Sequence, residues 1–156
     1  MILNGLEQKP LPVYGDGGQI RDWLHVADHC RAARLLLEDG RPGEVYAIGG
    51  NNEIRNLDLV RQICAVLDEL QPRPRGRPHE EQISFVPDRP GHDRRYAIDG
   101  QKIKQELGWQ PQMEFISGLR TTIAWYLANQ EWCAKIQDKK YQRSRLGLTP
   151  FSTPQS

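Results

Sequence analysis

Arg21 follows a glycine-rich turn and precedes Asp22 and Trp23, and its planar guanidinium can offer a fork of donors to a phosphate. A salt bridge to an acidic neighbour accounts for the same residue, and composition alone favours that plainer reading. Asn56 is placed to open a helix, where free N–H groups and the helix dipole favour an anion. An ordinary N-cap explains Asn56 equally well. Arg89 stands in a Pro-Gly bend with His92 beside it and is a candidate for a second phosphate contact. These anion-competent groups, each expected at the end of an element, point to an anion-binding surface without naming what it binds.

Other chemistry is conspicuous by its absence. A dinucleotide site needs a glycine-rich turn between a strand and a helix, so that a pyrophosphate can approach backbone N–H groups. The nearest run, Gly15-Asp16-Gly17-Gly18, lacks the third glycine and precedes an expected strand. No tyrosine is followed four residues on by a lysine; Tyr141 has Arg145 there. Neither a Walker loop, a His-Glu-x-x-His pair nor a Gly-x-Ser-x-Gly elbow occurs. His25 and His29 have helical metal-ligand spacing, but a strand-to-helix junction expected at Val26 breaks their alignment, so ordinary polar contacts are the expectation.

The elements that must position the arginines are short. Residues 1–8 read as the last turns of a helix, and Leu11-Pro12-Val13-Tyr14 as an extended run, because each proline pushes its predecessor out of the helical region. Gly15 to Gly18 form a turn, and a strand from Ile20 to Val26 would close a hairpin with the first run. A helix is predicted from Asp28, with Cys30, Ala33, Leu36 and Leu37 on one face and Gly40 as its stop. Glu44 to Ile48 reads as a strand ended by Gly49-Gly50, and Asn56 caps a helix carrying the stripe Leu59, Val60, Ile63, Leu67 and Leu70. The prolines of residues 71–80 exclude regular structure, and Arg73, Arg75 and Arg77 among them are most simply solvated. A strand from Ile83 to Val86, a short helix capped by Asp99 and stopped by Gly108, and a helix from about Ser117 to Asn129 burying Leu119, Ile123, Tyr126 and Leu127 complete the pattern. The class is α/β, with few and short strands.

Composition bounds the rest. With 156 residues the chain suits one domain, and 21 Lys+Arg against 20 Asp+Glu argue against a general nucleic-acid or membrane-surface binder. No apolar run is long enough to span a bilayer, and residues 1–7 lack the marks of a secretory signal. The 3 cysteines form no Cys-x-x-Cys pair. Cys30 and Cys64 are expected as core thiols, in keeping with a reducing cytoplasm.

Around these same residues the chain resembles the carboxyl-terminal part of the dTDP-glucose 4,6-dehydratase family, within the extended short-chain dehydrogenases. The stretches that carry the resemblance are Leu11 to Gly17, Ile20-Arg21-Asp22-Trp23-Leu24, Val45-Tyr46-Ala47-Ile48-Gly49-Gly50 and Asn56-Leu57-Asp58. It continues through Asp88-Arg89-Pro90-Gly91-His92-Asp93, the run Arg94 to Asp99, Glu106-Leu107-Gly108-Trp109, Ser117-Gly118 and Trp125-Tyr126-Leu127. The Gly-Gly and Gly-Trp pieces are shared across the superfamily, whereas Arg-Asp-Trp with Asp-Arg-Pro-Gly-His is more specific to this dehydratase.

The resemblance implies a small mixed substrate-binding lobe, residues 1–136, followed by a tail at 137–156, with the Rossmann domain mostly outside the chain. It implies dTDP-glucose as ligand: Arg21 and Asn56 on the diphosphate or nucleotide, the bend Asp88, Arg89, Pro90, Gly91 and His92 closing over the same group, and Leu11, Pro12, Val13 and Tyr14 flanking the thymine. In the family, NAD takes a hydride from C4 of glucose, water leaves across C5 and C6, and the hydride returns to C6. The cofactor glycines, the Tyr/Lys pair and the acid–base carboxylates belong to an amino-terminal half without a counterpart here. No catalytic or cofactor-binding residue is therefore assigned, and the chain is expected to be an inactive fragment of a lyase. Full-length members are implied to be homodimers, mainly through that other half. The alternatives are a non-enzymatic dTDP-sugar-binding module or decayed remnant, or a lobe that takes a UDP-sugar. Without the companion lobe, the Val45 to Ile48 strand would lose its packing and leave apolar surface exposed.

Overall fold

Leu59, Val60, Ile63, Cys64, Val66 and Leu67 recur at helical spacing and are all buried, which makes their helix the axis of the molecule. In the computed structural model, which describes residues 1–139, this helix spans Asn56–Leu70. Ahead of it come α1 (Ile2–Leu6), β1 (Leu11–Tyr14), β2 (Ile20–Asp22), α2 (Val26–Asp39) and β3 (Glu53–Arg55), which makes the central helix α3. Beyond it lie β4 (Ile83–Val86), α4 (Gln101–Leu107), α5 (Phe115–Ala128) and α6 (Gln130–Lys139). The expected tail lies outside the described residues from position 140 onward.

One face of α3 packs against α1 and α5 through Leu59, Ile63, Val66, Leu67 and Ile123, with Ile2, Leu6, Phe115 and Leu119 around them. Gly5 is what lets α1 sit so close, since a Cβ there would lie 2.8 Å from Leu67 Cδ1. The other face takes β1, where Leu11 and Val13 are buried with Val60 and Cys64. Burial and the nearby Asp68 and Glu80 carboxylates push the Cys64 thiol up to about 11. A third cluster, Ala32, Ile103 and Trp109, joins α2 to α4.

The expected hairpin does not form. β1 pairs in parallel with β4, Leu11 opposite Ile83 and Tyr14 opposite Val86, while β2 pairs antiparallel with β3, Arg21 opposite Ile54. The turn between β1 and β2 is the reason: Gly15 and Gly17 adopt φ of 56° and 71°, and the turn is drawn onto the start of α3 instead of folding β2 back on β1. Leu57 N donates to Gly17 O at 3.0 Å, and a Cβ on Gly17 would lie 2.7 Å from Leu57 Cβ.

Several boundaries move for equally local reasons. β2 stops at Asp22, and α2 starts at Val26, two residues before Asp28, because the His25 side chain accepts from Ala27 N at 3.3 Å and caps the helix. The buried face of α2 is set by Asp28 and Ala32, leaving Cys30 exposed and Leu37 89% exposed. Cys30 is thus no core thiol, whereas Cys64 is. α5 starts at Phe115 because Glu114 accepts from Ile116 N and Ser117 N, at 2.9 and 2.7 Å. Residues 71–80 contain a 3₁₀ turn at Pro74–Gly76 and the start of another at His79–Gln82. Arg73 is covered, not solvated: its side chain is 11% exposed and Nη1 donates to Pro78 O at 2.7 Å.

Glu44 to Ile48 is not a strand. Among the described residues, no backbone N–H from Val45 to Ile48 finds an acceptor, and Val45 is 83% exposed. The residues have strand chemistry but no strand beside them to complete a ladder.

Candidate functional site

β2 is the spine on which the site is built. On one side it carries β3; on the other, Ile20 N donates to Arg94 O at 2.8 Å and Tyr96 N to Ile20 O at 3.1 Å. The segment that follows the Asp88–His92 bend is therefore laced alongside β2. Just before β2, Gln19 ties the two halves together. Its backbone oxygen accepts from Asn56 N at 2.9 Å, and its buried side chain donates through Nε2 to Asp88 Oδ2 at 2.7 Å.

Arg21 leaves β2 toward this laced segment. Nη1 donates to Ile20 O at 2.7 Å and Nη2 to Asp93 O at 3.0 Å, and the guanidinium lies 4.1 Å from the centre of the Tyr96 ring. The plain salt bridge to Asp22 does not occur, because Asp22 faces the other way. Its Oδ2 accepts from Gly50 N at 2.7 Å and its Oδ1 from Asn52 N at 2.8 Å. Tyr96 donates its hydroxyl to Asp93 Oδ2 at 2.5 Å. That carboxylate raises the Tyr96 phenol above its ordinary range, while Arg21 and Arg89 both pull the other way.

Asp88 organises the bend. Its Oδ1 accepts from Arg89 N at 2.8 Å and pairs with His92 Nδ1 at 2.7 Å. The His92 bond, with help from Arg89, holds the Asp88 carboxyl below its ordinary range despite some desolvation. Gly91, at φ 66°, makes the reversal that brings His92 back to Asp88, while Pro90 and Arg89 are exposed. Tyr14, at the end of β1, meets the His92 ring edge-on at 5.9 Å. The structure therefore links Tyr14, His92 and Asp88 to one another and ties Arg21 to Asp93 and Tyr96, just beyond the bend.

Other expected residues stand differently. Leu11 and Val13 are buried in the core, so they face α3 rather than any ligand, and only Pro12 and Tyr14 of that run remain partly exposed. Asn56 is the first residue of α3, not its cap, which is Arg55. Asn56 N and Leu57 N are already taken by the Gln19 and Gly17 carbonyls, so these N–H groups are not free for an anion. What Asn56 can offer is its side-chain amide, which none of the hydrogen bonds of the described residues employs.

The glycine turn does not fit a dinucleotide. A Cβ on Gly15 would lie 3.1 Å from Asp88 Oδ2, one on Gly17 2.8 Å from Val13 Cγ1, and one on Gly18 2.9 Å from Arg94 Nη2. The space a pyrophosphate would need is filled by the protein's own side chains, so this turn is not a cofactor cradle. An apolar cavity of about 700 Å³ does exist, between the β2–α2 connection and α5, lined by Trp23, Met113, Phe115, Leu119 and Trp125. It contains none of the anion-competent residues.

Sequence reasoning missed Gln19, Asp22, Asp93 and Tyr96. Only Asp22 had a legible signal, since a carboxylate beside the arginine and a distant Gly-Gly pair suit one another. A Cβ on Gly49 would lie 2.7 Å from Asp22 Oδ2, and one on Gly50 2.2 Å from Trp23 O.

Comparison with known proteins bears on the family and the fold. A family model described as GDP-mannose 4,6 dehydratase matches residues 1–122. The dTDP-glucose 4,6-dehydratase of Xanthomonas campestris pv. campestris (strain B100) is 53% identical over 149 residues, covering 96% of this chain and 42% of the relative. That of Salmonella typhimurium (strain LT2) is 55% identical over 142 residues, covering 91% of this chain and 39% of the relative. Among solved structures, dTDP-glucose 4,6-dehydratase from Bacillus anthracis, in complex with NAD, superposes with a TM-score of 0.72 at 48% identity. It is covered to 39% by 84% of this chain. UDP-glucose 4-epimerase of Thermotoga maritima, with UDP-glucose, reaches a TM-score of 0.69 at 26% identity over 83% of this chain and 38% of its own. The chain spans about two fifths of the length of the curated relatives it matches, and over that span it belongs to the GDP-mannose 4,6-dehydratase family.

Proposed function

We propose that this chain is the nucleotide-sugar-binding portion of a dTDP-glucose 4,6-dehydratase, and that by itself it binds the nucleotide without performing the reaction. The observation that carries this reading is the placement of Arg21 against the segment that follows the bend bearing Arg89. The Arg21 guanidinium lies 4.1 Å from the centre of the Tyr96 ring, its Nη2 donates to Asp93 O, and Arg89 stands on the Asp88-ordered bend just ahead of that residue. A guanidinium on β2 with a second on the adjoining bend suits a diphosphate, whose charges are spread over adjacent groups. The Asn56 amide supplies a neutral contact from the start of α3, and Tyr14 beside His92 supplies an aromatic wall for the base.

The catalytic part of the reaction finds no support among these residues. The glycine turn is packed by Leu57, Val13, Asp88 and Arg94, so the NAD on which the family depends would bind elsewhere than in this chain. Turnover of dTDP-glucose by the chain alone is accordingly expected to be nil.

Isothermal calorimetry with thymidine diphosphate, with uridine diphosphate as competitor, tests the reading. Measurable binding that uridine diphosphate displaces only weakly supports a thymidine-nucleotide site. Stronger binding of uridine diphosphate would move the chain to the UDP-sugar branch of the superfamily, and no binding of either would leave a remnant.

A further inference from the structure

We propose that Tyr96, tied to Asp93, is a positioning residue that fixes the Arg21 guanidinium in the orientation needed to meet a nucleotide diphosphate. The inference rests on the diphosphate reading of Arg21 and extends it to a residue that touches no ligand.

A free arginine side chain samples many rotamers, and ordering it costs affinity each time a ligand binds. Here the ordering is done in advance. Two backbone carbonyls, Ile20 O and Asp93 O, take hydrogens from Nη1 and Nη2 and set the plane of the guanidinium. The guanidinium carbon sits over the Tyr96 ring, 4.1 Å from its centre, in a cation–π contact. The ring is itself restrained at both ends. Tyr96 N donates to Ile20 O, the carbonyl that also accepts from Arg21, and the hydroxyl donates to Asp93 Oδ2 at 2.5 Å. Arg21, Tyr96 and Asp93 form a closed triangle between β2 and the segment laced beside it.

Tyr96 is 48% exposed, so its replacement should leave the core intact. Binding of thymidine diphosphate to the full chain is measured for the wild type, Arg21→Ala, Tyr96→Leu and Tyr96→Phe. Tyr96→Leu should weaken binding about fivefold, the range of an exposed cation–π contact. Tyr96→Phe, which keeps the ring, should restore most of that loss, which general disturbance of the segment would not allow. Without ligand, ultraviolet titration of the phenol, isolated as the difference from Tyr96→Phe, should move upward in Arg21→Gln, because the cation no longer favours the phenolate.

Unchanged affinity in Tyr96→Leu alongside a clear loss in Arg21→Ala would overturn the positioning role and leave the diphosphate reading intact. Unchanged affinity in Arg21→Ala, or no binding by the wild type, would remove that reading and this role with it. An unmoved phenol titration in Arg21→Gln would show that the contact itself is absent.

Discussion

Asp28 and Asp22 are carboxylates that hold the fold together through backbone N–H groups, Asp28 those of Gln112 and Met113 and Asp22 those of Gly50 and Asn52. Asp28 is 2% exposed, and burial raises its pKa; the N–H groups of Met113 and Gln112 and the Arg31 guanidinium outweigh that and hold it below the ordinary carboxylate range. A carboxyl depressed on folding adds stability above its unfolded pKa and loses it as pH falls through the folded one. Asp28→Ala should cost about 3 kcal/mol near neutral pH and flatten the acid limb of the stability profile, as read by urea unfolding across pH. Gly50→Ala should destabilise by about 2–3 kcal/mol, because its Cβ would sit 2.2 Å from Trp23 O, a backbone atom that can yield only if the Asp22 turn moves. Of these roles little was legible. Arg21 and Arg89 stand out by type and context, but Gln19 and Asp93 act through partners 69 and 72 positions away and Tyr96 through the still more distant Arg21 and Ile20, and no spacing rule reports such pairs.

The α3 and α5 helices were read well, α2 with the wrong buried face, α6 not at all, and strand partners badly, for a physical reason. The stripe on α3 is a local pattern that any core-facing helix must display, so its elements and burial follow from the sequence. Leu67→Ala, which empties a fully buried position between α1 and α5, should cost about 3 kcal/mol by chemical denaturation. Pairing is not local. β1 and β4 are joined in parallel across α3, a crossover that adjacent runs of extended chain do not announce. The stretch from Val45 to Ile48 reads as a strand yet has no ladder. Hydrogen exchange should separate the two cases, with fast exchange at residues 45–48 and strong protection in the middle of α3. Protection of residues 45–48 in the isolated chain would mean that they have found a partner, in another copy or elsewhere in the fold.

A chain that matches two fifths of its relatives' length keeps a core of its own around α3 while carrying surface suited to burial. Val26, Leu37 and Val45 are 67%, 89% and 83% exposed, and no helix among the described residues is long and apolar enough to cross a membrane. The isolated protein should bind an apolar dye and associate as its concentration rises; a sharp, concentration-independent two-state melt would contradict this. The α/β class was visible in the residues, whereas the neighbourhood of Arg21, against the segment that follows the Arg89 bend, emerged only when β2 was seen with a segment on each side. That neighbourhood is tested most directly by titrating thymidine diphosphate and thymidine against the wild type, Arg21→Ala, Arg89→Ala and the double variant. Each single change should weaken thymidine diphosphate about tenfold, the double change more, and thymidine hardly at all. Equal effects on both ligands, or none on the diphosphate, would show that the two guanidinium groups do not share a phosphate-binding task.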